Sequence, residues 1–214
     1  YVTKADFVAC HNPSYIVKGY KIVNDVKPGG IFLLNCQWTP EEVEKHLPAE
    51  AKKYIAENDV KFYIVNAIDK AREIGMGKRT NTILQSAFFA LANIMPIEEA
   101  VDYMKAAAKK SYLKKGEAVV EMNYKAIDAG VDAIVKIDVP ASWKDAKTEE
   151  KASEVKSNRP EMVKFVNEIL KPVGMMQGDS LPVSVFADMA DGTFPQGSSA
   201  FEKRGVAVDV PEWI

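Results

Sequence analysis

The stretch "IFLLNCQWTPEEVEKHL", residues 31–47, decides the fold class. Its first six residues form a nearly continuous apolar run, the mark of a strand covered on both faces. A helix start follows. Thr39 is placed to cap, Pro40 takes the first helical position and Glu42 can complete a capping box. A buried strand feeding a capped helix is the βα unit from which largely parallel sheets are assembled.

The same pattern recurs on either side. "ADFVAC" (5–10) and "VKFYIVN" (60–66) read as companion strands, and "KPGG" (27–30) as a tight turn into the second strand. Asn66 can cap the next helix, with Asp69 in its first turn. Beyond it the chain turns helical. In "EIGMGKRTNTILQSAFFALANI" (73–94), Gly75 and Gly77 end one helix and Thr80 or Asn81 caps another. "PIEEAVDYMKAAAKKSY" (96–112) sets Ile97, Ala100, Val101, Met104 and Ala108 on one face, with acids at its start and lysines at its end. Gly116 breaks it. A further helix is expected from Glu117 to Ile137, with Val119, Met122, Ala126, Ile127, Ala133 and Ile134 facing inward.

From Pro140 the polar, aperiodic "PASWKDAKTEEKASEVKSNRP" (140–160) reads as a surface linker, followed by a helix from Pro160 to Leu170 capped by Asn158. The remainder keeps Phe186, Phe194, Phe201 and Trp213 among prolines and glycines, and is expected as an extended arm laid across another surface. The expected organisation is a three-layer α/β domain over 1–140, with a largely parallel sheet flanked by helices. A linker over 141–158 and a helix with an extended C-terminal arm over 159–214 complete it.

A net charge of -2 gives no reason to expect nucleic acid or an anionic membrane as a partner. Apolar runs fall far short of the roughly 20 residues a membrane-spanning helix requires. The start "YVTKADFVAC" lacks the pattern of a signal peptide, and the two cysteines, Cys10 and Cys36, form no ligand cluster. A reducing cytoplasm is the expected compartment.

In an open parallel sheet, ligands bind beyond the carboxyl ends of the strands. Those ends carry the neutral amides Asn12, Asn35, Gln37 and Asn66, each able to hydrogen-bond a ligand or simply to shape a turn or cap. Lys78 and Arg79 stand before a helix start at Thr80 and Asn81, where free N–H groups and the helix dipole favour an anion. The pattern is neither of the familiar phosphate loops. Arg72 and Arg79 occupy places where a Walker loop needs Gly and Ser or Thr, and "AIDKAREIGMG" (67–77) separates the glycines from the strand. Cys10 and His11 alternate across a strand and cannot pair, His46 reads as a surface cap, and no metal-ligand spacing or Ser-His-Asp set stands out. From its residues the chain reads as a noncatalytic α/β module with an anion site at one helix entrance. The alternative is a purely structural adaptor.

The segments "ADFVACHNPSY", "GGIFLLN", "GMGKRTNTILQSAFFAL", "KKGEAVVEMNYKAID", "LPVSVF" and "DGTFPQGSSAFEKRGVAVDVPEWI", in this order, resemble the middle of the single-chain pyruvate:ferredoxin (flavodoxin) oxidoreductases. The resemblance covers the chain from end to end. It implies the domain equivalent to the gamma subunit of multi-subunit 2-oxoacid oxidoreductases, followed by an arm toward a ferredoxin-like domain. It further implies a Gly-Gly-rich strand and a Ser-His-Leu-Arg motif ahead of the first strand, and cluster-binding cysteines beyond Ile214. Such enzymes convert pyruvate and coenzyme A (CoA) to acetyl-CoA and carbon dioxide. They use thiamine diphosphate and 4Fe-4S iron-sulfur clusters in other domains, pass electrons to ferredoxin or flavodoxin, and are expected as homodimers. For this domain the resemblance implies a part in CoA binding. Asn12, Lys78, Arg79, Thr80 and Asn81 are the expected contacts, gathered on a common rim.

Overall fold

The computed structural model describes residues 2–147 and 155–202, and contacts divide the chain into two compact units, Tyr1–Glu149 and Glu150–Ile214. In the first, β1 (Ala5–Cys10), β2 (Val26–Asn35), β3 (Lys61–Val65) and β4 (Ile134–Lys136) form one sheet in the order β1-β2-β3-β4. The pairs β1–β2 and β2–β3 are parallel, whereas β4 runs antiparallel to β3, with Val65 opposite Ile134. The sheet is therefore largely parallel, with one antiparallel edge.

Helices cover both faces. α1 (Ser14–Val17) and a 3-10 turn at Ile22–Asp25 join β1 to β2; α2 (Pro40–His46) and α3 (Ala49–Glu57) join β2 to β3. After β3 come α4 (Ala67–Ile74), α5 (Asn81–Ala92), α6 (Ile97–Tyr112) and α7 (Glu117–Asp132). Alternation along the strands sorts the core into two layers. Cys10, Phe32, Leu34, Phe62 and Ile64 pack with Val43 and Ile55 on one face. Phe7, Ala9, Leu33 and Val65 pack with Ala71, Ile83 and Ala126 on the other.

The expected capping box at α2 is present: the Thr39 hydroxyl accepts from the Glu42 amide and the Glu42 carboxylate accepts from the Thr39 amide at 2.9 Å. Three expectations change. "KPGG" is not a turn ahead of β2 but a loop-out within it. β1 advances from Ala5 to Phe7 while β2 advances from Val26 to Ile31, so β2 carries three extra residues. Gly29 sits at φ +73° there, and a side chain on Gly30 would meet Val26 at 2.8 Å. The long helix expected to Ile137 stops at Asp132, and Ile134–Lys136 leave it to become β4. Their apolar spacing continues the helical pattern, but pairing with β3 wins. Trp143, in the expected surface linker, is buried: the 3-10 turn Ala141–Asp145 seats its ring 6.4 Å from Phe62.

In the second unit, α8 (Pro160–Phe165) continues through a π turn at Val166–Leu170 into α9 (Lys171–Gly174), beyond the expected stop at Leu170. Pro172 has no N–H to give to the preceding turn, and the helix widens just before it. The helix is not capped by Asn158. Arg159 holds the cap position without a side-chain cap bond, and its amide donates to Ser157 Oγ. The described part of the arm is not extended. It forms 3-10 turns at Gly178–Ser180, Val183–Met189 and Ser198–Phe201, and Val185, Phe186, Met189 and Phe201 pack on Met162, Phe165, Val166 and Ile169 of the same unit. Phe194 lies against Phe165, ring centres 5.0 Å apart. Trp213 and residues 148–154 of the expected linker lie outside the described residues.

Candidate functional site

The amides at the strand ends are committed to the fold. Asn35, buried at the end of β2, donates to the His11 carbonyl at 3.0 Å and accepts from the Ala67 amide at 3.1 Å. It thereby ties the loop after β1 to the first residue of α4. Asn12 accepts from the Ser14 amide at 3.0 Å, which shapes the Asn-Pro turn, and its carbonyl lies 3.1 Å from Cys10 Sγ. Asn66 caps α4 by accepting from the Asp69 amide at 3.1 Å. The Asp69 carboxylate receives Gln37 and Asn66, each at 2.8 Å, and Arg72 at 3.2 Å. The Gln37 hydrogen bond above all, then those of Asn66 and Arg72, holds this carboxyl below its ordinary pKa.

No nucleophile is poised there. Cys10 and Cys36 are buried free thiols. Burial raises the Cys10 pKa and lifts that of Cys36 to about 11, which keeps both protonated. Cys10 is buried at the end of β1, and His11, the next residue, is exposed in the loop that follows. His46 stacks on Trp38, ring centres 4.4 Å apart. Among the described residues, no three His, Cys, Asp or Glu side chains gather as a metal-ligand group.

One helix, α4, links the two groups of expected contacts in the chain. α4 starts beside Asn35 and the His11–Asn12 loop, and its eight residues carry the chain about 12 Å along the helix axis. It ends at Gly75, φ +91°, in an arrangement where the amides of Gly75 and Met76 donate to the Arg72 and Ala71 carbonyls. There Gly75 neighbours Met122, well inside α7, a helix whose far end returns to the rim as β4. Asn12 thus lies beside the start of α4, and Lys78–Asn81 follow the end of α4 in the chain.

Lys78, Arg79, Thr80 and Asn81 do stay together, as the start of the twelve-residue α5. The expected side-chain cap is not made: Thr80 takes the cap position with its side chain unbonded to the helix, and Asn81 is the first helical residue. Lys78 and Arg79 are exposed and make no ion pair among the described residues.

Beside this start, α5, α6 and α7 enclose a cleft of about 370 Å³. Asn81, Gln85, Phe89, Tyr103 and Ser111 line it, and no lining side chain carries a charge. Its buried polar edge is Thr82 Oγ1 donating to Asn123 Oδ1 at 3.3 Å, while Asn123 gives its own N–H to Val119. The sequence reading placed Asn81 but missed Gln85 and Tyr103. The signal was the small-residue run Ala106–Ala108 with Ser111 on α6, which leaves room between helices that a leucine would fill.

Residues 1–133 match the family model described as pyruvate ferredoxin/flavodoxin oxidoreductase, and residues 148–207 match a domain of unknown function. The chain is 48% identical to a pyruvate-flavodoxin oxidoreductase of Enterobacter agglomerans, over 99% of this chain and 18% of that protein. It is 45% identical to a pyruvate:ferredoxin oxidoreductase of Moorella thermoacetica, over 99% of this chain and 17% of that protein. It thus spans less than a fifth of these curated relatives. A solved structure, the PORC subunit of pyruvate oxidoreductase from Thermotoga maritima, shares the fold with TM-score 0.51 and 20% identity, covering 64% of this chain and 67% of that one.

Proposed function

Because the chain belongs to the pyruvate ferredoxin/flavodoxin oxidoreductase family, we propose that it serves as a noncatalytic α/β piece of an enzyme that oxidises pyruvate with CoA to acetyl-CoA and carbon dioxide. Its own part in the reaction is to hold the phosphates of CoA at Lys78, Arg79, Thr80 and Asn81. The observation that carries this reading is the start of α5. Two exposed cations without ion-pair partners among the described residues stand before a helix that no side chain caps, next to an uncharged cleft. Helix amides left without a cap and a positive dipole end favour a phosphate. Asn12 is engaged in its own turn, accepting from the Ser14 amide.

The remainder of such an enzyme would carry thiamine diphosphate and the iron-sulfur clusters, deliver electrons to ferredoxin or flavodoxin, and work as a cytoplasmic homodimer. The residues described in this chain do not fit a cluster: both thiols are buried in the apolar core. In the enzyme carrying this chain, Lys78→Ala with Arg79→Ala is expected to raise the KM for CoA by about tenfold or more, the loss of one to two charge-assisted contacts. The KM for pyruvate should stay unchanged. An unaltered KM for CoA would remove the contact and leave the adaptor reading, which the structural use of Asn35, Asn66 and Gln37 favours.

A further inference from the structure

A second pocket lies at the foot of the sheet, where β3 begins and β4 ends, and its volume of about 400 Å³ falls within the roughly 300–1,000 Å³ of small-molecule sites. Ile55, Val60, Phe62 and Ile137, all buried, give it an apolar floor. Three lysines from three elements gather around that floor. Lys61 is the first residue of β3 and Lys136 the last of β4, and the Ile137 amide carries the pairing on by donating to the Phe62 carbonyl at 2.9 Å. Lys144 is brought there by its neighbour Trp143, whose buried ring packs by Phe62 and whose indole N–H donates to Glu44. All three lysines are exposed and make no ion pair among the described residues. Asp59 and Asp138 also line the pocket, so three cations against two carboxylates leave one net positive charge.

We propose that this pocket binds a monocarboxylate with an apolar body, its chain lying on Val60 and Ile137 and its carboxylate among Lys61, Lys136 and Lys144. The inference is independent of the CoA reading, since Lys78 to Asn81 do not line this pocket. Each methylene that the floor removes from water favours binding. The lysine stems extend the apolar wall while their ammonium groups stay in water, free to reach a carboxylate oxygen. The two aspartates limit the charge of the ligand: one negative charge balances the lining, whereas a second is repelled by Asp59 and Asp138. A cationic chain meets three ammonium groups, and a bare inorganic anion leaves the apolar floor uncovered. Only a single carboxylate on an apolar chain satisfies both the floor and the charge.

The test is calorimetric titration of the full chain with octanoate, octylammonium and the dicarboxylate suberate, with amide NMR shifts to locate the bound chain. Octanoate should bind and shift the amides of Val60, Ile137 and Ala141. Lys136→Gln or Lys144→Gln should each weaken it about two- to fivefold, and Lys61→Gln, Lys136→Gln and Lys144→Gln together about tenfold or more, the range for exposed charge pairs. The three side chains are exposed, so these variants keep the fold. Octylammonium should bind the parent chain more weakly than octanoate, and the triple variant should no longer tell the two apart. Suberate should also bind the parent chain more weakly, and Asp59→Asn with Asp138→Asn should close that gap. Asparagine accepts the left-handed backbone of Asp59, φ +50°. Octylammonium bound by the parent as tightly as octanoate overturns the carboxylate assignment, as does octanoate binding that the triple variant leaves unchanged. Absence of octanoate binding, or shifts confined to residues near Lys78 and Arg79, overturns the site itself and leaves the CoA contact to its own test.

Discussion

A side-chain carbon on Gly130 would lie 2.3 Å from the carbonyl oxygen of Ile83, so helices α5 and α7 touch backbone to backbone at this point. Ser86 reinforces the contact by donating its hydroxyl to the Ile127 carbonyl at 2.5 Å. The helical layer that walls the cleft is therefore set by the absence of one side chain.

Gly130→Ala pits two effects against each other. Alanine improves helix propensity by about 1 kcal/mol, but the methyl meets backbone that cannot turn aside, and overpacking of a close contact costs about 1–3 kcal/mol. A net loss of up to about 2 kcal/mol is expected. It would appear as a lower urea midpoint at unchanged slope, and a higher midpoint would show that the helices can separate freely.

Asn35→Leu should cost about 2–3 kcal/mol, because it leaves the Ala67 amide and the His11 carbonyl without partners near the core. Asn35→Asp should recover the bond from Ala67 but not the one to His11, and should fall between the two in thermal denaturation. A neutral Asn35→Leu would mean that water replaces both bonds.

Trp143 is 3% exposed and donates its indole N–H to Glu44 at 3.2 Å. Trp143→Ala should destabilise the first unit by about 3–5 kcal/mol, as for other large aromatics removed from a core. Ending the chain at Pro140 should do the same. A fragment 1–140 as stable as 1–147 in chemical denaturation would contradict this.

Native Cys36, with its pKa lifted from the ordinary 9.0 to about 11, should hold about a hundredfold less thiolate at pH 8 and alkylate only on unfolding. Between pH 9 and 11 the unfolded chain releases this proton and the folded chain keeps it, so stability should fall as pH rises through that window. Cys36→Ala should flatten that part of the pH profile. Rapid native labelling at pH 8 would show that the thiol reaches solvent.

The strands were legible because their signal is local. "ADFVAC" is β1 from end to end, and the Thr39 and Asn66 caps are made as read. β4 was hidden because Ile134 and Ile137 continue the helical spacing of α7, and three residues pairing at an edge have no pattern of their own. Trp143 was hidden for the opposite reason, a single buried ring among polar neighbours. At the strand ends the amides Asn12, Asn35, Gln37 and Asn66 were legible as polar groups, but not their bonding, because the partners of Asn35 and Gln37 come from other elements. The cleft could not be seen from one helix, since three supply its walls.

The loop-out in β2 confines variation in chain length to one place. Because pairing resumes in step at Ile31 opposite Phe7, adding or deleting a residue among positions 27–29 changes the size of the protrusion and its own bonds, from the Gly29 amide to Asn58 and from Lys27 to Asp6. The inward and outward parity of Ile31 through Asn35 is preserved, and with it everything fastened to the far end of that strand. Sequence drift at this corner leaves the facing of the buried strand residues unchanged.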